Sequence, residues 1–435
     1  MPKKFRLLLL EILKITLIGL SIGASISLYR YAVTYVITFS SFLFTSSNNL
    51  YFSLGVIGLV VLGIFSYAII RFDVNIQGSG LPQLEMNLKY RKKNLKWYSI
   101  PLMFINSLIS FFAGLPLGTE GPSTFMGGMI NYSFNRLFKD YDNDDDIPLG
   151  MGTGFGISLM TPVAGIFYSF EECLETFQFK YIWKSILMIT IAFTVAYLIN
   201  PTSRIVLPVL SSFNYLYTID LFLIVLANYC LARVILFLVP LFKSFINNHY
   251  KNSIIRARFF IIYIISALIL IFCPILSGSG NNLLTAIKSE NLPYLLLLSY
   301  LIVRIVMYAT VNTSMASGGL MVPTFVLGAL VGEILYVSFF KTNGSNTNEN
   351  LIIILSMLSL FTFLNRTPLT NITLAISFGG YMNFLSIIGP SLITIVASYL
   401  ISKITKLDTL NDQRRKLLRT SRQTTLKKIN QEANN

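Results

Sequence analysis

The residues best suited to chemistry lie at positions 118–122, where the sequence Gly-Thr-Glu-Gly-Pro places an acid, Glu120, inside a long apolar stretch. A charged side chain at the centre of a bilayer costs about 2.5–3.5 kcal/mol on insertion scales, so a carboxylate there indicates a function. Pro122 suits the first turn of a helix, where its missing N–H is no loss. Glu120 would then stand at a helix N-terminus, where backbone N–H groups favour negative charge. This stretch therefore predicts an ionisable gate at an anion site.

A second segment, residues 78–82, reads Gly-Ser-Gly-Leu-Pro and would end an approach loop before a short helix. Its glycines, Gly80 among them, let backbone N–H groups come close to a ligand, and the Ser79 hydroxyl adds a donor. A plain turn, or the close packing of small residues, explains this segment equally well when it is taken alone.

A third segment, residues 318–323, reads Gly-Gly-Leu-Met-Val-Pro and offers the N–H groups of Leu320 and Met321 as donors. One helix terminus contributes only about 0.3–1 kcal/mol to anion binding, whereas dehydrating an ion costs on the order of several kcal/mol. Several helix starts must therefore converge. Together with the backbone at Gly121, the segments predict an anion site weak enough for the ion to leave again.

A pair of acids, Glu171 and Glu172, ends the apolar run at residues 163–170. A helix end that reaches cytoplasmic water explains the pair. A proton entry point that feeds Glu120 explains it as well, because a buried carboxyl can change its protonation near neutrality. The sequence leaves both interpretations open.

The elements that must position these residues are membrane helices. Of the 435 residues, 54% are hydrophobic and 12% are charged, and the mean hydropathy is +0.66, far from the values of a soluble domain. Apolar runs recur at residues 51–70, 181–199, 221–241, 259–276, 295–311, 351–364 and 387–401. Several of them approach the length that spans a bilayer. One histidine and three cysteines without metal or redox spacing argue against a metalloenzyme, so we expect no metal and no cofactor.

The net charge of +15 reflects membrane topology rather than nucleic-acid binding. Basic residues gather at the N-terminus, in residues 89–96 and in the tail at residues 403–428, whereas residues 341–350 carry one lysine and one glutamate. The positive-inside rule therefore places both termini and the loop at residues 89–96 in the cytoplasm, and residues 342–350 outside. We expect a multi-pass protein of the cell membrane. The acidic residues 140–146 fit a solvated turn better than a calcium site.

An internal repeat connects the glycine segments. Three short patterns occur twice in the same order, at residues 78–80 and 278–280, 118 and 318, and 160–163 and 366–369. Paired Gly/Pro interruptions in corresponding halves point to a transport site at the membrane midplane. The sequence thus predicts an all-α, polytopic membrane protein with two inverted-topology repeats and broken or re-entrant helices. We expect the first repeat at residues 1–210, the second at 211–402 and a short basic cytoplasmic tail at 403–435.

These segments resemble the motifs of the CLC family of chloride channels and chloride/proton antiporters. The family motifs GSGIP, G(K/R)EGP and, loosely, GxFxP are matched by residues 78–82, 118–122 and 319–323. The family's proline segment before paired acids is matched by residues 161–167, followed by Glu171 and Glu172. The resemblance covers the membrane part of the chain and implies a homodimer with a separate pore in each subunit. Because the sequence stops at Asn435, we expect the short, prokaryotic type of the family, without a cytoplasmic regulatory CBS pair.

The resemblance implies a role for each candidate residue. Ser79 would coordinate the central anion, and the backbone amides of Leu320 and Met321 would add donors. Glu120 would be the external gating glutamate, which competes with the anion when it is ionised and swings away when it is protonated. Glu172 would be the internal proton glutamate that many antiporters of the family have.

Three departures from the family pattern bear on coupling. Thr119 stands where the family usually has a basic residue, and Met321 replaces the phenylalanine of GxFxP. The family's anion-coordinating tyrosine, near the start of the last cytoplasmic helix, has no counterpart at residues 406–410, and no tyrosine follows Tyr399. An open inner gate would weaken coupling or anion selectivity.

The leading hypothesis is a secondary active transporter, not an enzyme, that exchanges chloride or a similar small anion for protons. Its partners would be chloride, protons, the lipid bilayer and a second copy of the chain. The alternative within the family is a passive chloride channel, which Thr119 and the missing tyrosine favour. A fluoride exporter is less consistent with Ser79. The single histidine and the paired glycine segments disfavour an unrelated polytopic membrane enzyme or lipid transporter.

Overall fold

The chain folds into sixteen α-helices over the residues that a computed structural model describes, namely 3–89, 95–138, 144–174, 178–201, 205, 207, 218–249, 254–289, 292–341, 348–410 and 412. The first eight helices are α1 (Lys3–Thr45), α2 (Asn49–Phe72), α3 (Leu81–Lys89), α4 (Ser99–Phe112), α5 (Glu120–Leu137), α6 (Ile147–Leu159), α7 (Pro162–Tyr168) and α8 (Phe179–Ile199). The other eight are α9 (Thr218–His249), α10 (Ile254–Phe272), α11 (Asn281–Ser289), α12 (Tyr294–Thr313), α13 (Met321–Leu335), α14 (Glu349–Asn365), α15 (Pro368–Gly379) and α16 (Phe384–Ile404). The all-α class is therefore confirmed.

Some sequence predictions fall outside the described residues. The expected loops at 89–96, 140–146 and 342–350 lie there in part, as does most of the tail at 403–435. The expected boundary between the repeats, after residue 210, lies there as well. These loop and boundary assignments stay predictions, except that Asp146, which is 4% exposed, does not fit the expected solvated turn.

The first eight helices and the last eight are interrupted at corresponding positions. A single 3₁₀ turn, Val74–Ile76 or Pro274–Leu276, precedes each Gly-Ser-Gly sequence. Gly78 and Gly278 both adopt a φ of +61°. Left-handed backbone costs other residues about 1–2 kcal/mol, so glycine is needed at both positions. The sequence repeat is therefore also a structural repeat.

Each half also breaks a helix at a Thr-Pro step. Met160 and Arg366 end α6 and α14 in the left-handed conformation, at φ values of +58° and +57°. The helices that follow, α7 and α15, begin with Pro162 and Pro368, whose fixed φ and missing N–H suit a first turn. Because α7 has only seven residues, it is too short to span a bilayer. The prediction of broken helices is confirmed.

The outer surface of the molecule is apolar. Seven helices in the described part of the chain are long and apolar enough to cross a membrane, namely Lys4–Thr45, Asn49–Phe72, Phe179–Ile199, Ile219–Ser244, Tyr294–Thr313, Met321–Phe340 and Phe384–Ile404. Their outward faces carry large apolar side chains such as Leu28, Val60 and Phe237, which are 59%, 59% and 66% exposed. A surface of this composition needs lipid around it. The chain is a multi-pass membrane protein.

Four helices, α5, α6, α13 and α14, form the interior. Every residue of α6 is buried, and the most extensive helix contacts of each half are those of α5 with α6 and of α13 with α14. Small residues allow the close approach. A Cβ atom at Gly154 would lie 2.2 Å from the carbonyl oxygen of Ser123, and one at Gly328 would lie 2.5 Å from Met357 Cα. These packed pairs hold the starts of α5 and α13 in fixed positions.

A buried polar cluster ties α1 to the start of α6. Lys14 Nζ lies 3.5 Å from Asp146 Oδ2, and the two side chains are 6% and 5% exposed. Asn135 Nδ2 donates a hydrogen bond to Asp146 Oδ1, and Asn131 Nδ2 donates one to the Asp146 carbonyl oxygen, both at 2.9 Å. Removing one partner of a buried ion pair leaves an uncompensated charge. This cluster therefore matters for stability.

Candidate functional site

The three glycine segments meet at one point in the molecule. Gly118 N–H donates to the Gly319 carbonyl oxygen at 2.7 Å, and Gly319 N–H donates to the Gly118 carbonyl oxygen at 2.8 Å, as in an antiparallel β-bridge. A Cβ atom at Gly121 would lie 2.8 Å from both Gly319 Cα and Ser79 Cβ. Only glycine permits this approach. The glycines of the motifs thus allow contact between segments that are far apart in the sequence.

The second repeat also donates two backbone hydrogen bonds to glycine turns of the first repeat. Gly318 N–H donates to the carbonyl oxygen of Gly78 at 2.8 Å, and Gly278 N–H donates to the carbonyl oxygen of Gly114 at 2.8 Å. Backbone groups at membrane depth must be paired within the protein, because lipid offers no partner. The two repeats therefore complete each other's irregular backbone here.

Helices α5 and α13 both begin at this junction with open N-termini. Among the described residues, no side-chain cap hydrogen bond is made to either helix by its N-cap residue, Thr119 or Leu320. The first N–H groups of an α-helix have no partner inside the helix and carry partial positive charge. Two such starts side by side can bind an anion without a lysine or an arginine.

A cavity of about 60 Å³ lies where these helix starts meet. It is lined by Ser79, Leu81, Pro82, Glu85, Glu120, Gly121, Thr124, Tyr168, Glu172, Tyr308, Gly319, Leu320, Met321, Thr324, Asn365 and Leu410. A single water needs on the order of 10–15 Å³ of such volume, so the cavity has room for an ion and several waters. Every predicted site residue except Gly80 lies on its wall.

Ser79 lies on the cavity wall with a buried hydroxyl. The residue is 8% exposed, and its Oγ has no hydrogen-bond partner among the described residues. Burying a hydroxyl without a partner costs about 1–3 kcal/mol, so this group is ready to donate to a ligand. Gly80 N–H, in contrast, donates to the Gln77 carbonyl oxygen at 3.1 Å. The amide of Gly80 therefore closes the turn, and its place is beside the cavity rather than on the wall.

Glu120 is fully buried at the start of α5. Thr119 Oγ1 donates a hydrogen bond to Glu120 Oε1 at 3.2 Å. A Cβ atom at Gly118 would lie 2.2 Å from Glu120 Oε2, so the carboxyl group folds back over the Gly118 backbone. A carboxylate in this position lies against the open helix starts. The carboxyl group thus lies at the start of α5, on the wall of the cavity.

The two neighbouring acids have different surroundings. Glu171 accepts hydrogen bonds from Leu369 N–H at 2.8 Å, Thr370 N–H at 2.8 Å and Thr370 Oγ1 at 2.6 Å, and so caps the N-terminus of α15. Glu172 lies on the cavity wall. Both acids belong to a π-helical segment, Ser169–Leu174, whose wider turn is often found at functional sites. Glu171 does not simply end a helix in water, because its carboxylate accepts hydrogen bonds from α15 of the other repeat.

Other residues of the cavity wall were missed by sequence reasoning. Tyr168 lies there, and so do Tyr308 of α12 and Thr324 of α13, with Tyr308 Oη 3.1 Å from Thr324 Oγ1. Thr124 takes the place on α5 that Thr324 takes on α13. The spacing of 200 residues between these threonines could have indicated them. Leu410 completes the wall, from the segment in which the family tyrosine has no counterpart.

Known proteins are similar to this chain over most of its length. They include the H(+)/Cl(-) exchange transporter ClcA of Vibrio campbellii, 27% identical over 353 residues, which are 78% of this chain and 74% of the relative. The protein of the same name from Klebsiella pneumoniae is 25% identical over 358 residues, which are 79% of this chain and 74% of the relative.

Solved structures share the fold. A slow cyanobacterial Cl⁻/H⁺ antiporter matches with a TM-score of 0.83 and 19% identity, over 94% of this chain and 97% of the other. A CLC-type fluoride/proton antiporter matches with a TM-score of 0.75 and 18% identity, over 91% of this chain and 96% of the other. The sequence profile of the family described as "Voltage gated chloride channel" matches residues 57–403. Since that match spans most of the chain, the protein belongs to the voltage gated chloride channel family, as its glycine motifs indicated.

Proposed function

We propose that this protein exchanges chloride, or a similar small anion, for protons across the membrane. One observation carries the proposal: a single cavity is lined both by donors for an anion and by carboxyl groups, and of its three glutamates we assign Glu120 and Glu172 to proton transfer. A passive anion channel needs only the donors. The relatives named as H(+)/Cl(-) exchange transporters also support exchange over passive conduction.

The anion is held by Ser79 Oγ and by the N–H groups of Leu320 and Met321, next to the backbone of Gly121. A hydrogen bond to a charged group contributes about 1.5–3 kcal/mol, and a partly buried helix start contributes up to about 2 kcal/mol. A few such donors offset the cost of dehydration without creating a deep trap. Conduction requires this balance, because the ion must also leave.

Glu120 is the external gate. Its ionised carboxylate occupies the start of α5, and its protonated form loses that attraction and moves aside, so that an anion enters. The Thr119 hydroxyl, 3.2 Å from Oε1, supports the closed position. Glu172 takes up protons from the inner side and passes them toward Glu120 through the cavity that both acids line. Because protonation of the gate and entry of the anion depend on each other, the two fluxes are coupled.

The placement of the protein in the cell follows from its charge distribution. Both termini lie in the cytoplasm, and residues 342–350 lie outside a plasma or inner membrane, since basic residues gather at the termini. The chain consists of membrane repeats at residues 1–210 and 211–402, followed by the tail at 403–435. It works as a homodimer in the lipid bilayer, with one cavity in each subunit.

Parallel chloride and proton fluxes from protein reconstituted into vesicles test this function. Under a chloride gradient the wild type should move protons uphill. Glu172→Gln should abolish proton movement and spare chloride flux, and Glu120→Gln should abolish both coupling and pH dependence. Glu349→Gln changes a carboxyl that is not on the cavity wall, so it serves as the control and should behave as the wild type.

Two results would overturn the assignments. Chloride flux in the wild type without any uphill movement of protons would identify a passive channel instead of an exchanger. Proton flux that is unchanged in Glu172→Gln would remove that acid from the proton path, and coupling that survives in Glu120→Gln would remove Glu120 from the gate.

A further inference from the structure

Two hydroxyl groups on the cavity wall have no role in the function proposed above. Tyr308, near the end of α12, and Thr324, one turn into α13, are 1% and 2% exposed. Their oxygens, Tyr308 Oη and Thr324 Oγ1, are 3.1 Å apart, and both residues line the cavity that contains Ser79 and Glu120. Two buried donors therefore stand within the same small volume as the proposed anion.

The hydroxyl proton of Thr324 is already engaged in a hydrogen bond within α13. Thr324 Oγ1 donates to the carbonyl oxygen of Leu320 at 2.8 Å, four residues earlier in the chain. A hydroxyl has one proton to donate and two lone pairs, so Thr324 Oγ1 accepts a hydrogen bond from the Tyr308 hydroxyl. Rotation about the bond from the tyrosine ring to its oxygen can redirect the phenol proton without moving the ring. Tyr308 is thus the adjustable donor of the pair.

Packing alone does not account for the phenol. The two repeats correspond at an offset of 200 residues, as Thr124 and Thr324 show, and the position in α4 that corresponds to Tyr308 is Leu108. The first repeat therefore builds the same helix pair with an aliphatic side chain. Only the second repeat has a hydroxyl at this position. The C-terminal segment adds Leu410 to the same wall, and the leucine side chain has no hydrogen-bond donor.

We propose that Tyr308, supported by Thr324, donates a hydrogen bond to the transported anion and helps to set its affinity. This proposal rests on the proposed function, since it concerns the same cavity. The anion would be held by Ser79 Oγ on one side and by the phenol hydroxyl on another. When the cavity is empty, the phenol O–H donates its hydrogen bond to Thr324 Oγ1 again, so the phenol is not left without a partner.

Chloride titration of the purified, detergent-solubilised protein, followed by calorimetry, tests the proposal. Tyr308→Phe removes one oxygen and keeps the ring, and it should weaken chloride binding at least about tenfold, as expected for a lost hydrogen bond to a charged group. Tyr263→Phe makes the same change at a tyrosine that is 4% exposed and not on the cavity wall, and it should bind chloride as the wild type does. Thr324→Val should weaken binding less, and adding it to Tyr308→Phe should cost little more, because the two hydroxyls act as a unit.

The results separate this proposal from the function on which it rests. Chloride binding by Tyr308→Phe within a factor of two of the wild type would overturn the role of the phenol and leave exchange intact. Equal weakening in Tyr263→Phe would overturn it too, since the loss would not be local. If Tyr308→Phe cannot be purified, wild-type affinity in Thr324→Val decides against the pair. A wild type that neither binds nor transports chloride would overturn both the pair and the proposed function.

Discussion

Replacing Glu171 and Glu172 by glutamine, one at a time, separates the two roles that neighbouring acids have in this protein. Glu171 accepts three hydrogen bonds from the start of α15. Glutamine keeps one acceptor oxygen, but its NH₂ group then faces backbone N–H donors. At least one hydrogen bond and the negative charge at a helix N-terminus are lost.

The expected magnitude follows from these contacts. A hydrogen bond to a charged group contributes about 1.5–3 kcal/mol, and an acid at a helix N-terminus contributes about 0.3–1 kcal/mol more. Because Glu171 is half-buried, the lower end of each range applies. We therefore expect Glu171→Gln to lower the free energy of unfolding by about 2 kcal/mol. Glu172→Gln leaves the three hydrogen bonds of Glu171 in place, so it should be more stable than Glu171→Gln.

Thermal unfolding in detergent and ion fluxes in vesicles, measured on the same preparations, test this division. Glu171→Gln should melt several degrees lower and keep the wild-type ratio of chloride to protons in the molecules that remain folded. Glu172→Gln should melt at a higher temperature than Glu171→Gln and lose proton transport. The reverse pattern, a stable Glu171→Gln that no longer moves protons, would refute the division of roles.

Three further substitutions have specific expected outcomes. Gly118→Ala puts a methyl group 2.2 Å from Glu120 Oε2, so the carboxyl is displaced and chloride flux in vesicles should lose its dependence on pH. Gly121→Ala puts a methyl group 2.8 Å from the backbone of the other repeat, and overpacking of about 1–3 kcal/mol should lower the melting temperature and chloride binding. Asp146→Asn removes the carboxylate that lies 3.5 Å from the buried Lys14 Nζ, which should cost about 3–5 kcal/mol of stability in thermal unfolding, and Lys14→Met should restore part of it.

Each of these outcomes can fail in a recognisable way. A pH dependence of the wild-type kind in Gly118→Ala would show that Glu120 does not rest over that glycine. Normal chloride binding by Gly121→Ala would show that the junction is looser than its contacts indicate. If Lys14→Met destabilises the Asp146→Asn protein further, the two side chains do not act as a charge pair.

The parts of the fold that the sequence predicted are those with strict local requirements. A φ of +61° at Gly78 and Gly278 demands glycine, and a helix start in apolar sequence favours proline, so the repeat and the helix breaks are visible as residue patterns. Ser79 and Glu120 were predicted for the same reason. Each stands inside such a break, and each lies on the cavity wall.

The remaining parts depend on contacts across the molecule. Nothing local distinguishes Glu171 from Glu172, because the difference is made by α15, almost two hundred residues away. Tyr308 sits in a mostly apolar helix with only weak periodicity of its polar residues, so the sequence does not show which residues face the cavity. The placement of Leu410 on the wall required the path of the C-terminal segment, which has no motif of its own.

The paired glycines at 118 and 319 have a consequence for how the protein is made. Their two hydrogen bonds join residues that leave the ribosome about 200 residues apart. Until the second half is inserted, Gly118 presents an unpaired N–H and C=O at membrane depth, where each costs on the order of several kcal/mol. A nascent or truncated first half therefore carries exposed backbone polar groups that only the finished chain pairs.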